Sequence, residues 1–92
     1  MRRAARLDAN QQEIVRALRQ CGASVQSLAS LGGGVPDLLV FKGGKYLLME
    51  IKDGSKPPSK RQLTPDQESW RKAWGGPVAV VTSVDDAIEA TK

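Results

Sequence analysis

The segment Val35-Pro36-Asp37-Leu38-Leu39-Val40-Phe41-Lys42-Gly43-Gly44-Lys45-Tyr46-Leu47-Leu48-Met49-Glu50-Ile51-Lys52 holds two apolar runs separated by a Gly-Gly pair. Glycine accepts the positive φ that a two-residue turn demands, so the pair predicts a β-hairpin between strands Asp37 to Phe41 and Tyr46 to Lys52. Centring the turn on Gly43-Gly44 sets Lys42 against Lys45, Phe41 against Tyr46 and Leu39 against Leu48. One more step outward sets Asp37 against Glu50.

On the N-terminal side, Asp8 reads as a helix cap with Gln11 as its reciprocal partner. Ile14, Val15, Leu18 and Cys21 follow at helical spacing until Gly22 ends the run. Ser24 to Leu28 reads as a short strand, and Leu31-Gly32-Gly33-Gly34 as a flexible approach to the hairpin. On the C-terminal side, Asp53 to Leu63 is rich in Pro, Gly, Ser and Lys and reads as a loop. Thr64-Pro65-Asp66-Gln67 is a helix start with a Thr cap, a first-turn proline and Gln67 at the capping-box position. That helix runs to about Trp74 and stops at Gly75-Gly76-Pro77. Val78 to Val81 follows as a buried strand, and Ser83 opens a last short helix. The expected fold is a mixed α/β sheet with a central antiparallel hairpin flanked by helices.

The chain has 92 residues, the size of one domain, which places residues 1–92 in a single unit with 1–7 as a basic arm. A chain of this length buries about 60–65% of its unfolded surface, so a homodimer is an expected way to gain buried area. Cys21 is the only cysteine, which rules out an internal disulfide and suits a reducing compartment. With no apolar run of about 18 residues, no membrane span is expected. The leading Met1 to Arg6 continues into a polar helix, not a signal-peptide core. A soluble, cytoplasmic protein of a bacterium or a phage-infected cell is therefore the expectation. Fourteen Lys and Arg against ten Asp and Glu give +4, which favours a polyanionic partner, nucleic acid ahead of membrane. There is no histidine, which excludes Ser-His and Cys-His nucleophiles in this chain and nearly every zinc site. Catalysis, if present, falls to carboxylates, lysines and a hard divalent cation.

The hairpin supplies that set. Two carboxylates held opposite each other repel, and a divalent cation such as Mg²⁺, which takes one or two carboxylates, is the simplest remedy. Glu50 and Lys52 are two apart on a strand and so share a face, while Leu47, Met49 and Ile51 point to the other. Two acids and an amine suit phosphodiester hydrolysis. The cation polarises the phosphoryl oxygens, and lysine orients water or stabilises charge growing on the phosphate. Taken singly, Pro-Asp is a common turn and Glu-x-Lys a common solvated strand face. Their order across one hairpin is what favours a site.

Asp37 followed by Glu50-Ile51-Lys52 resembles the PD-(D/E)xK nuclease superfamily, which has a restriction-endonuclease-like fold. Adding Gly33-Gly34-Val35-Pro36-Asp37, then Leu63-Thr64-Pro65-Asp66-Gln67 to Trp70, then Gly76 to Val81, the chain resembles the VRR-NUC domain, the virus-type replication-repair nuclease. The likeness runs from about Glu13 to Ala90, as in the stand-alone forms of phages and bacteria. It implies structure-specific DNA cleavage, Holliday-junction resolution included, by homodimers using Mg²⁺ or Mn²⁺. It also implies metal ligation by Asp37, Glu50 and the Ile51 carbonyl, a catalytic amine on Lys52, an active-site role for Gln67 and a supporting one for Glu13.

Other residues carry competing readings. Gln67 fits a capping box, yet shares a helical stripe with Trp70 and Trp74 that points to the sheet. Glu13 lies beside the apolar stripe, as a solvated glutamate would. Trp70 and Trp74 read as core or dimer-interface residues before base-stacking platforms. Lys56, Lys60 and Arg61 in the loop, and Arg71 with Lys72 on the helix, are candidate phosphate contacts or plain solvated charges. Arg2, Arg3 and Arg6 form a candidate DNA-contacting arm. Three activities remain open: a junction-resolving endonuclease, a flap or duplex nuclease, and a non-catalytic nucleic-acid-binding module. RNA in place of DNA is also compatible with the composition.

Overall fold

The computed structural model describes residues 10–92. The Asp8 cap and the arginines of the basic arm lie outside these. The first helix, α1 (Gln11–Gln20), starts after Asn10, whose side chain makes no capping bond. Gln11, expected as a capping partner, is instead buried. Ile14 and Leu18, one turn apart, are fully buried. Cys21 is exposed, because it flanks the helix end beyond the last turn that faces the core.

Four strands follow in the spatial order β1 (Ser24–Ser27), β2 (Leu38–Lys42), β3 (Lys45–Ile51) and β4 (Val78–Val81). β1 with β2 and β2 with β3 are antiparallel, while β3 with β4 is parallel. The parallel pair is reached through α2 (Pro65–Trp74), and α3 (Val84–Ala90) closes the chain. The hairpin register is the expected one, with Lys42, Phe41 and Leu39 opposite Lys45, Tyr46 and Leu48. Gly43 and Gly44 have φ of 59° and 79°, the left-handed values that let a two-residue turn follow the twist of the strands. The ladder ends at Leu38 opposite Met49. Asp37, expected inside the strand, stands one residue before β2, and Lys52 one residue after β3, whose last pair is Ile51 with Val81.

Alternation divides the sheet. Leu38, Val40, Met49, Ile51 and Val81 join Ile14, Leu18 and Ala87 in one apolar core beneath α1 and α3. α1 also packs against α3 and β1, and α3 against β4. The opposite face carries Leu39, Phe41, Tyr46, Leu48, Glu50, Val78 and Val80. It is only partly covered, with Tyr46 73% and Val80 41% exposed. α2 buries no side chain. Trp70 and Trp74 stack on each other with ring centroids 5.0 Å apart; Trp70 is half-buried, while Trp74 is 56% exposed, which corrects the core reading for Trp74.

The segment between β3 and α2 is more ordered in form than a plain loop. Asp53 accepts from the backbone and hydroxyl of Ser55, and Pro58–Lys60 forms a 3₁₀ turn. The glycine run is not a loose spacer either. Gly34 has φ of 85°, and a Cβ there would run into the Asp66 carbonyl, so its backbone is seated against the first turn of α2. Among the described residues no helix is long and apolar enough to cross a membrane.

Candidate active site

Glu50 is the last-but-one residue of β3 and sits on the α2 side of the sheet, 4% exposed. A carboxylate this deep is costly without compensating donors. Gln67 supplies one, its Nε2 donating to Glu50 Oε2 at 3.0 Å. Lys52, two residues on and on the same face, brings its ammonium to 4.0 Å from the same oxygen. Its Nζ donates to Gln67 Oε1 at 2.8 Å. The three side chains form a closed triangle in which the amide orientation of Gln67 is forced, since only the oxygen can face an ammonium.

Gln67 has this reach because of how α2 begins. Thr64 caps the helix by accepting from Gln67 N at 3.2 Å, and Gln67 Oε1 accepts from Thr64 N at 2.9 Å. The capping-box and active-site readings are therefore both satisfied by one side chain. Its oxygen serves the helix start and Lys52 at once, and its nitrogen serves Glu50.

Asp37 enters from the neighbouring strand. Its Oδ2 accepts from Ile51 N at 2.7 Å, while its own carbonyl accepts from Leu28 N at 2.8 Å. The carboxylate thus continues the β2–β3 pairing past the point where Pro36, with no N–H, precedes it. The acid lies beside the Glu50–Ile51 peptide, on the same face as Glu50 by register. The bond to Ile51 also gives Asp37 a purely structural use at the strand end.

The donor set fits a hard divalent cation. Among the described residues no three His, Cys, Asp or Glu side chains gather as a metal cage. Asp37 and Glu50, opposite each other by register, could hold Mg²⁺ or Mn²⁺ when water and phosphate oxygens complete the shell, whereas a closed all-protein site would need more ligands.

Asn10 is a residue that sequence reading missed. Its Nδ2 donates to the carbonyls of Lys52 at 3.3 Å and Thr82 at 3.1 Å, tying the start of α1 to the ends of β3 and β4. Lys52 N in turn donates to Val81 O at 2.9 Å. The backbone of Lys52 is clamped on both sides just where the ladder stops, which fixes the direction of its side chain. Asn10 is 42 residues from Lys52 and 72 from Thr82, so no local pattern announces the contact.

Glu13, by contrast, is exposed on α1, and the site's hydrogen bonds reach that helix through Asn10. Lys56, Lys60 and Arg71 are exposed, and Arg61 is half-buried. The structure joins Glu50, Lys52 and Gln67 directly, places Asp37 at the adjoining peptide, and leaves Glu13 outside. No protein-family model matches the chain, and neither a curated protein nor a solved structure matches it.

Proposed function

We propose that the chain is a metal-dependent, structure-specific DNA endonuclease of VRR-NUC type, with a restriction-endonuclease-like sheet, which hydrolyses phosphodiester bonds as a homodimer in the cytoplasm. The observation that carries this reading is the Glu50–Gln67–Lys52 triangle with Asp37 at the Ile51 peptide. The arrangement gathers a buried acid, an amine and an amide on one face of the sheet. Hydrolysis of a phosphodiester uses each.

In this reading Asp37, Glu50 and the Ile51 carbonyl hold Mg²⁺ or Mn²⁺. When bound, the cation supplies Lewis-acid polarisation of the phosphate and eases ionisation of water. Lys52 orients the attacking water and stabilises negative charge that builds on the phosphate. Gln67 bonds to both members of the Lys52–Glu50 ion pair and so fixes the ammonium and the carboxylate relative to each other. Asn10 holds the Lys52 backbone. Two such sites related by a two-fold axis are what paired cuts in a four-way junction require.

A second reading has its own support. Because α2 buries no side chain, the triangle is also the main polar attachment of that helix. It would serve equally in a nucleic-acid-binding module that does not cleave.

End-labelled junctions, flaps, duplexes and single strands, as DNA and as RNA, incubated with Mg²⁺, Mn²⁺ or EDTA separate these readings. Symmetric metal-dependent cuts in junction DNA are expected. Cuts confined to flaps or duplex keep the nuclease and remove the resolvase. Binding without any cutting transfers the assignment to the module.

A further inference from the structure

The cations that the sequence offers as phosphate contacts look equivalent there, but the structure separates one from the rest. Lys56, Lys60 and Arg71 are exposed and solvated, whereas Arg61 is half-buried. Its Nε is shielded from solvent and meets no acceptor among the described residues, and it forms no ion pair with a described carboxylate. A guanidinium cannot relieve such burial by losing its proton, so the shielded, unmatched Nε donor calls for an anion whose oxygen can meet it.

The loop that carries Arg61 is closed upon the site. Lys52 Nζ, at its start, and Thr64 N, at its end, both donate to the single atom Gln67 Oε1, at 2.8 and 2.9 Å. Arg61 is three residues from Thr64, at most about 11 Å of chain. Its backbone is fixed by the turn after Pro57-Pro58, with Lys60 N donating to Pro57 O at 2.8 Å and Arg61 N to Pro58 O at 3.1 Å. A cation on a braced loop spends less entropy on binding than one on a free chain.

We infer that Arg61 is the phosphate-binding residue of this loop, and that its ligand is a backbone phosphodiester of a polynucleotide lying next to the Glu50–Lys52–Gln67 triangle. This deepens the nuclease reading by naming the residue that grips the substrate, and it is tested without catalysis. Binding of a fluorescent four-way DNA junction is measured in EDTA over a salt series for wild type, Arg61→Ala, Arg61→Lys and Lys60→Ala.

Losing a hydrogen-bonded charge contact weakens binding by about tenfold or more in Arg61→Ala. It also lowers the log–log salt slope by about one. Arg61→Lys keeps the charge, folds without a void and still binds more weakly, because a point charge cannot fork onto two oxygens. Lys60→Ala changes affinity less than about threefold, as expected of an exposed charge. Wild-type affinity in Arg61→Lys together with equal losses in Arg61→Ala and Lys60→Ala overturns the assignment. So does inorganic phosphate that stabilises wild type but not Arg61→Ala when the junction binds both alike, since the site then takes a free anion. A chain that binds through Arg61 and never cuts removes the nuclease reading alone. One that cuts while Arg61→Ala binds normally removes this inference alone.

Discussion

On one side of the sheet, Ile14, Leu18, Leu38, Val40, Met49 and Ile51 are buried together beneath α1 and α3. On the other side, no α2 side chain is fully buried, Trp70 is half-buried, and the helix is tied down by the bonds of Gln67 and the seat of Gly34. The two faces share strands but not forces. Apolar contacts are non-directional and numerous, so losing one costs global stability. Hydrogen bonds to a few atoms are directional, so losing one releases a local element and spares the rest. A face held in the second way can keep a buried carboxylate and an amine apart at a set distance.

The difference is sharpest when the core is cut. Leu18→Ala should lower global stability by about 2–5 kcal/mol, read as a lower urea midpoint with both faces unfolding together. A transition that leaves the α1 side folded would show that these apolar contacts do not hold the domain together. Next comes a matched pair of glycines with positive φ. Gly33, at 66°, would place a Cβ in open space, whereas Gly34 would drive one into the Asp66 backbone. Both alanines carry the left-handed penalty of about 1–2 kcal/mol. Only Gly34→Ala should also displace α2, seen as a change in tryptophan emission from Trp70 and Trp74 and as faster amide exchange in that helix. Equal spectra for the two variants would show that the seat is unimportant.

Gln67→Leu removes the side-chain bonds to Glu50, Lys52 and Thr64 at similar volume. It should cost about 1–3 kcal/mol, with exchange accelerated in α2 and unchanged in α1. Loss of protection in α1 would mean the faces are coupled after all.

Much of this arrangement is legible in the sequence where the cause is local. The Gly43-Gly44 turn dictates the register, and so puts Asp37 and Glu50 on one face. Thr64 with Gln67, and Ser83 before α3, mark helix starts by their own capping chemistry. The parts that escape are long-range. Asn10 reaches carbonyls on two strands, and Gly34 meets a backbone more than thirty residues on. The one-residue placement of Asp37 and Lys52 beyond the ladder depends on Pro36 and on the β4 neighbour, neither of which periodicity reports. Gln67 is the intermediate case. Its cap is readable, but its second set of bonds exists only because α2 crosses above Glu50.

The smallest expected effect lies on the well-packed side. Hydrogen bonds from the Thr82 hydroxyl and backbone hold the Asp86 carboxyl below the usual aspartate range. A lowered folded pKa stabilises the protein above the unfolded value near about pH 4 and is lost as pH falls through the folded one. Asp86→Asn should therefore reduce stability slightly at pH 6 and by progressively less toward pH 3. A constant difference across that range would assign the effect to packing.

On the proposed function the polar face is a catalytic site and not merely an anchor for α2. The most direct test is cleavage of end-labelled four-way DNA junctions in Mg²⁺ by wild type and Glu50→Gln, with binding measured in parallel in EDTA. The substitution conserves volume and a hydrogen bond to Gln67 while removing the charge. A catalytic Glu50 gives metal-dependent cutting by wild type, loss of at least about a hundredfold in rate in the variant, and junction affinity within about threefold. A Glu50→Gln protein that cuts as fast as wild type would contradict it.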